Sequence, residues 1–195
     1  MSKNPDEKNV KDWYAESFKI FESKLNGGSK SFLHEVRKNA LQKFSEIDFP
    51  TTRNEDWKYT DVKPVLKNNF TPAVNLALPA LSKTEIENFI FKGFECCSLV
   101  FVNGIFSEDL SKISEHPKNI IIGNLKKISK DNPEIISQHI NKLVKKENAF
   151  NALNTAYASD GLVVVIPDGV VVERPIQVMF INTSESEPVL STPRN

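Results

Sequence analysis

Two cysteines, Cys96 and Cys97, stand side by side in a chain whose three histidines are His34, His116 and His139. Thiolates and imidazoles bind metals and act as nucleophile and base, so their spacing decides what they could do. Neighbouring residues on a strand point to opposite faces, so the two thiols do not converge on one ion. A bridge between them would close a strained ring, since ordinary disulfides hold Cα atoms roughly 4.4–6.8 Å apart with matched vectors. We read both as reduced thiols where a strand begins. The histidines are scattered, none at ligand spacing from another, and a metal site built from this chain alone is not expected. No nucleophile pairs by spacing with a base and an orienting group, so no catalytic residues are assigned.

The densest unusual chemistry lies in Phe49-Pro50-Thr51-Thr52-Arg53-Asn54-Glu55-Asp56-Trp57-Lys58-Tyr59-Thr60, in a chain with only two Trp and three Tyr. Alternation would put Arg53, Glu55, Trp57 and Tyr59 on one side of an extended segment. Two readings follow. In the first the string is a clasp: Trp57 and Tyr59 each bury roughly 150–250 Å² against a core, and Arg53 pairs with Glu55 or a helix end. In the second, Arg53, Glu55, Trp57, Lys58 and Tyr59 form a docking surface, because Trp, Tyr and Arg are the usual anchors of interfaces.

The elements that must hold these residues are legible from period and punctuation. Asp6 to Asn26 reads as a helix with Val10, Trp13, Tyr14, Phe18, Ile20, Phe21 and Leu25 in its apolar stripe, stopped by Gly27-Gly28. A second helix runs from about Ser31 to Ile47 with Phe32, Val36, Ala40, Leu41, Phe44 and Ile47 inward, pairing antiparallel with the first. Thr60 is placed to cap a short turn through Val65 and Leu66, with Pro64 early enough to be tolerated. Ser82-Lys83-Thr84-Glu85 is a capping box opening a helix to Lys92 and Gly93. The period then switches. Cys97 to Val102 is a strand, Asn103-Gly104 a type I′ turn, and Ile105-Phe106 the return strand. Asn119 to Ile122 is another strand, residues from Pro133 to Val144 a helix, and Ala149 to Ala158 a further helical turn or two. From Asp160-Gly161 the chain is β-branched: Leu162 to Ile166, a Pro167-Asp168-Gly169 turn, Val170 to Val172, and Pro175 to Ile181. Such short strands between turns fit the first coils of a β-solenoid or one edge of a sandwich. The division expected is 1–158, α+β and mainly helical with one hairpin, and 159–195, an incomplete β region.

The totals narrow the class. With 195 residues, 39% apolar, and a formal net charge of zero, the chain suits a soluble domain without the basic excess of a nucleic-acid footprint. The densest basic run, Lys142-Leu143-Val144-Lys145-Lys146, suits the solvated end of a helix. No apolar run reaches about 18 residues, so no membrane span is expected. Met1 to Lys8 lacks the apolar core of a secretory signal, and we expect a cytoplasmic protein.

Three motifs now line up: Arg53-x-Glu55-x-Trp57-Lys58-Tyr59-Thr60, the hairpin around Asn103-Gly104, and Gly161 to Ile181 with its Pro-Asp-Gly turn and Arg174-Pro175-Ile176. Together they resemble the N-terminal part of SufD-type subunits, in the SufB/SufD family of the Suf iron–sulfur cluster assembly machinery. The resemblance implies a helical front leading into a right-handed parallel β-helix, then a C-terminal helical region. It implies a scaffold without catalysis, pairing with a SufB-like subunit and a SufC-like ATPase mainly through regions beyond this sequence. An iron–sulfur cluster would be held transiently by the parent complex, and no cofactor by this portion. The family's cluster-building histidine and cysteine lie in the later β-helix, so none of His34, His116 and His139 takes their role.

A solenoid coil buries its apolar face only against its neighbours, and residues 161–181 supply about one coil. The sequence therefore reads as part of a longer SufD-like protein, its C-terminal strands either poorly ordered or associating between copies through an exposed edge. Two alternatives stand beside this reading. One is the front of a β-helix enzyme of the polysaccharide lyase or acyltransferase type; its coils here would offer only Asp160, Asp168 and Glu173 as acids. The other is a generic solenoid-capping module.

Overall fold

The computed structural model describes residues 5–25, 31–77, 80–93, 95–114, 117, 119–144, 147–184 and 188–192. The Gly27-Gly28 stop, His116, the Lys145-Lys146 end of the basic run and the last three residues lie outside them. In chain order the elements are α1 (Pro5–Ser23), α2 (Phe32–Glu46), α3 (Lys63–Leu66), β1 (Thr71–Pro72), α4 (Lys83–Ile86), β2 (Cys97–Val102), β3 (Ile105–Lys112) and β4 (Ile121–Asn124). There follow α5 (Leu125–Asp131), α6 (Pro133–His139), α7 (Ala149–Ala156), β5 (Leu162–Val165), β6 (Ile176–Ile181) and β7 (Val189–Leu190).

The helical half is organised by aromatic rings. Val10, Tyr14, Phe18 and Phe21 of α1 are buried at three- and four-residue spacing, one stripe of a 3.6-residue helix. Trp13 and Ile20, expected in that stripe, face outward, and the Trp13 indole N–H donates to the Phe70 carbonyl at 3.2 Å. Helix α2 begins where Ser31 Oγ accepts from the His34 N–H at 3.2 Å. Its buried face is Leu33, His34, Arg37, Ala40 and Phe44, while Phe32 is exposed. This differs from the expected face because α2 packs chiefly on α7 rather than on α1. The alanines Ala149, Ala152 and Ala156 of α7 are fully buried, and small side chains let two helices approach closely. Tyr157 sits between the layers. Its ring meets Tyr14, Phe18 and Phe21 at centroid distances of 5.7–6.0 Å, and its hydroxyl donates to the Tyr14 carbonyl at 2.5 Å. Burial, opposed by the Phe70 backbone, pushes the Tyr14 phenol up to about 12. Burial and then the Tyr14 phenol raise Tyr157 further. Burial lowers the Arg37 guanidinium to about 10. Its Nε donates to the Ala158 carbonyl at 2.6 Å, with the group lying over the Phe21 ring.

The β half is built around β2. All six of its residues are buried, because both faces are covered, as for a strand central to its layers. Leu99 and Phe101 pack toward Ile120 and Ile122, and Val100 and Val102 toward Ile86, Leu110 and Met179. Asn103 and Gly104, at φ of 51° and 80°, close the hairpin of β2 and β3, with Val102 opposite Ile105. The capping box at Ser82 and Glu85 is present, yet its helix ends at Ile86 and tightens into a 3₁₀ turn, Glu87–Phe89. The buried Gln177 explains the early stop. Its amide donates to the Phe89 carbonyl at 3.0 Å and accepts from the Phe91 N–H at 3.3 Å, on either side of Ile90, where the backbone turns extended. The helix expected from Pro133 to Val144 closes at His139, and α5 before it is an additional element.

The segment after Ala158 does not form a unit of its own. β5 pairs antiparallel with β4, β6 pairs parallel with β2, and β7 pairs parallel with β1. Among the described residues every strand pairing of 159–195 therefore crosses the expected boundary at 158/159. The pairs are nested: the first strand of the tail meets the last strand of the front, and the last meets the first. Val170 to Val172 is not a strand; Val170 and Val172 instead pack their side chains against the Leu99 and Phe101 layer.

Candidate functional site

The expected extended string at residues 53–60 is a turn. Glu55–Trp57 is a 3₁₀ helix, and Asn54 Oδ1 locks its entry by accepting from the Thr51 N–H at 2.8 Å and the Thr51 hydroxyl at 3.2 Å. Alternation does not govern a 3₁₀ turn, so the four side chains do not share a face. Trp57 is half-buried and stacks on Phe150 at 5.5 Å with 28° between the planes. Tyr59 is 92% exposed, with the Lys58 ammonium over its ring at 5.5 Å. Arg53 and Glu55 are both exposed. Trp57 is thus the fastening of the turn, and Arg53, Lys58 and Tyr59 are presented outward by it.

A second constellation sits within the β half. Asp160 is buried, and its carboxylate collects donors from three elements. The Phe106 N–H lies 3.1 Å from Oδ2, and Asn124 Nδ2 lies 3.1 and 3.0 Å from the two oxygens. The Lys126 and Gly161 N–H groups donate to Oδ1 at 3.1 and 2.9 Å. Charge-assisted bonds to backbone amides are roughly twice as strong as neutral ones, so one side chain ties β3, the β4–α5 corner and β5 together. Asn103 makes a smaller tie of the same kind. Its amide donates to the Thr183 carbonyl at 3.0 Å and accepts from the Thr183 N–H at 2.9 Å, extending the β2–β6 pairing by one rung. The sequence signal for Asp160 was its glycine neighbour, which marked a turn but not a junction.

The chemically reactive types are dispersed. Cys96 Sγ lies 3.8 Å from Gln177 Oε1 and Cys97 Sγ 3.7 Å from the Ser114 carbonyl, two different surroundings for adjacent residues. His34 is 1% exposed, stacked on Phe18, with Nε2 at 2.8 Å from Glu22 Oε1; it fastens α2 to α1. His139 lies on the wall of an apolar groove beside β5. Among the described residues no group of His, Cys and acidic side chains gathers as a metal would require. No helix among them is long and apolar enough to cross a membrane.

Residues 8–178 match the family model described as the SufBD protein N-terminal region. The chain belongs to the SufBD family. A curated relative, the iron-sulfur cluster assembly SufBD family protein of Synechocystis sp., is 26% identical over 170 residues. That match covers 87% of this chain and 37% of the relative, so the SufBD chain described here spans about a third of the length of the protein it matches. The matched region takes in the Trp57 turn, the Asp160 junction and the first residues of β6 alike.

Proposed function

We propose that this SufBD chain is the front of a SufD-type scaffold subunit in iron–sulfur cluster assembly, and that it starts a right-handed parallel β-helix. The observation that carries the reading is the nested pairing. β5, β6 and β7 follow one another along the chain, and each lies along a strand of the N-terminal region on one edge only among the described residues. Three successive strands with one edge filled by a preformed platform are what the first coil of a solenoid requires. The opposite edges are then the place for a second coil. The helical front with Arg53-x-Glu55-x-Trp57-Lys58-Tyr59 favours SufD over SufB.

On this reading the chain works in the cytoplasm and catalyses nothing. The cluster is cargo of the assembled complex, and a SufB-like subunit and a SufC-like ATPase are partners engaged mainly through other regions. The exposed Arg53, Lys58 and Tyr59 form an added docking surface on the outer side of the Trp57 turn. A protein containing this chain and of the relative's length is expected to co-purify with both kinds of partner and to support cluster formation with them. Loss of both associations, with turnover of glycan or acyl substrates instead, would put the chain at the front of a β-helix enzyme.

A further inference from the structure

An asparagine followed by glycine is the dipeptide most prone to spontaneous change, because a residue without a side chain leaves its nitrogen open to the preceding side-chain amide. The chain has two such pairs, Asn26-Gly27 and Asn103-Gly104. Asn103 is 4% exposed, and both polar atoms of its side chain are engaged. Its amide donates to the Thr183 carbonyl at 3.0 Å and accepts from the Thr183 N–H at 2.9 Å, while its backbone N–H donates to the Ile181 carbonyl at 2.8 Å. These bonds lie one rung past Val102 and Ile181, the last pair of the parallel β2–β6 ladder. Strand ends open more readily than strand centres, so the lock on Asn103 sits where the ladder parts first.

We infer that Asn103 is a modification site that the docking of residues 181–183 switches off. In the open form the side chain is free to turn its carbonyl carbon onto the Gly104 nitrogen. The new N–Cγ bond displaces ammonia, which carries off the proton of that nitrogen and leaves a cyclic succinimide. Water then opens either ring carbonyl, giving aspartate or isoaspartate, and no oxidant or reductant is needed. In the closed form the same rotation would break both Thr183 bonds together. The product does not return to the closed form. Aspartate still accepts from the Thr183 N–H, but it sets an oxygen against the Thr183 carbonyl and brings charge to a buried position. Isoaspartate adds a methylene to the backbone of a turn whose φ values are 51° and 80°. A chain that holds β6 away from β2 for long therefore becomes one that cannot seal it. The inference concerns this junction alone and does not rest on the assembly role.

The test follows the amide-to-acid mass change at both asparagine–glycine pairs by peptide mapping of the purified protein, aged at mildly alkaline pH in native buffer and in concentrated urea. In urea Asn26 and Asn103 are expected to convert at similar rates. In native buffer Asn103 should convert at least about tenfold more slowly than in urea. Opening and closing are fast against this chemistry, so the native rate is the urea rate multiplied by the fraction of molecules open. That fraction should match the one read from hydrogen exchange of the Thr183 amide. Thr183→Pro removes the N–H donor and Ile181→Ala loosens the last rung. Each should raise the native rate at least about threefold and leave the urea rate unchanged; if one fails to fold, the other carries the comparison. A native rate equal to the urea rate overturns the inference, as does an Asn103 that stays inert in urea while Asn26 converts. Unchanged native rates in the variants overturn it too, and so does a native rate that follows exchange of the central Leu99 amide instead of Thr183. An Asn103→Asp protein whose Thr183 amide stays as protected as in the parent overturns the one-way step.

Discussion

The helical half of this molecule closes on itself, whereas in the β half β5 and β6 each keep an edge that the described chain leaves open. Around Tyr157, three helices enclose a group of rings with Phe44, Phe18 and Phe21 buried at its centre. Around β2 the packing is equally dense, but β5 stops at an edge that the described chain leaves without a strand. Ring packing dominates the first region, with the His34–Glu22, Arg37–Ala158 and Tyr157–Tyr14 bonds set inside it. The second depends on polar ties, the Asp160 carboxylate and the Asn103 amide, to hold strands whose outer neighbours it does not supply. The comparison teaches that a platform for further strands needs its joints fixed by directional bonds, because one-sided burial does not set register by itself.

The largest expected effect tests the closed side. Phe44→Ala should cost roughly 3–5 kcal/mol, as for an aromatic side chain removed from a full core, measured by urea denaturation. Asp160→Ala comes next, at roughly 2–4 kcal/mol, because it leaves several buried donors without an acceptor. Its sharper readout is hydrogen exchange. Amides of β4 and β5 should lose protection ahead of those in α1 and α2. If all four elements exchange together, the two halves are one cooperative unit and the contrast fails.

The alkaline limb of stability addresses the rings alone. Tyr14 titrates near 12 when folded and near 10.0 otherwise, and Tyr157 is raised in the same sense. A raised folded value means that stability is fully present below pH 10 and falls as the pH climbs through about 12. Arg37 acts oppositely. Its folded value of about 10 lies below the ordinary 12.5, so the cost of burying its charge is relieved over that range. Two phenols against one guanidinium predict a net loss. Tyr157→Phe, besides costing roughly 1–2 kcal/mol for its hydrogen bond near neutrality, should flatten the decline between pH 10 and 12 in a thermal-melt series.

The smallest effects separate fastening from presentation in the residue 51–60 turn. Trp57→Ala should cost roughly 1–2 kcal/mol through lost stacking on Phe150. Tyr59→Ala should stay within about 0.5 kcal/mol, as for a surface side chain. Equal losses in the two variants would mean that Tyr59 is also a structural anchor.

What the sequence disclosed follows the range of the interactions involved. Helix α1, the start of α2, the Ser82 box and the Asn103-Gly104 hairpin are set within a few residues, and period or turn chemistry exposes them. Helix α5 escaped notice because only Leu125 and Ile128 are apolar among its seven residues and its first turn is held by Asp160 from another segment. The rotation of α2 depends on the distant alanines of α7. The turn at residues 51–60 has the alternating composition of a strand, but Asn54 captures the Thr51 backbone and tightens it. Trp57 stacks on Phe150 while Tyr59 is exposed, and composition gives no sign of which of the two aromatics meets Phe150.

The nested strand pairs also imply an order of events during synthesis. β1, β2 and β4 leave the ribosome long before their partners, and each must wait with an unfilled edge. β5 closes on β4 across the shortest stretch of chain, and that closure brings the next stretch near β2. β6 then lands on β2, and β7 on β1, each step shortening the loop left for the one after. β7 joins β1 across the longest stretch of the three, so β1 is sealed after β4 and β2.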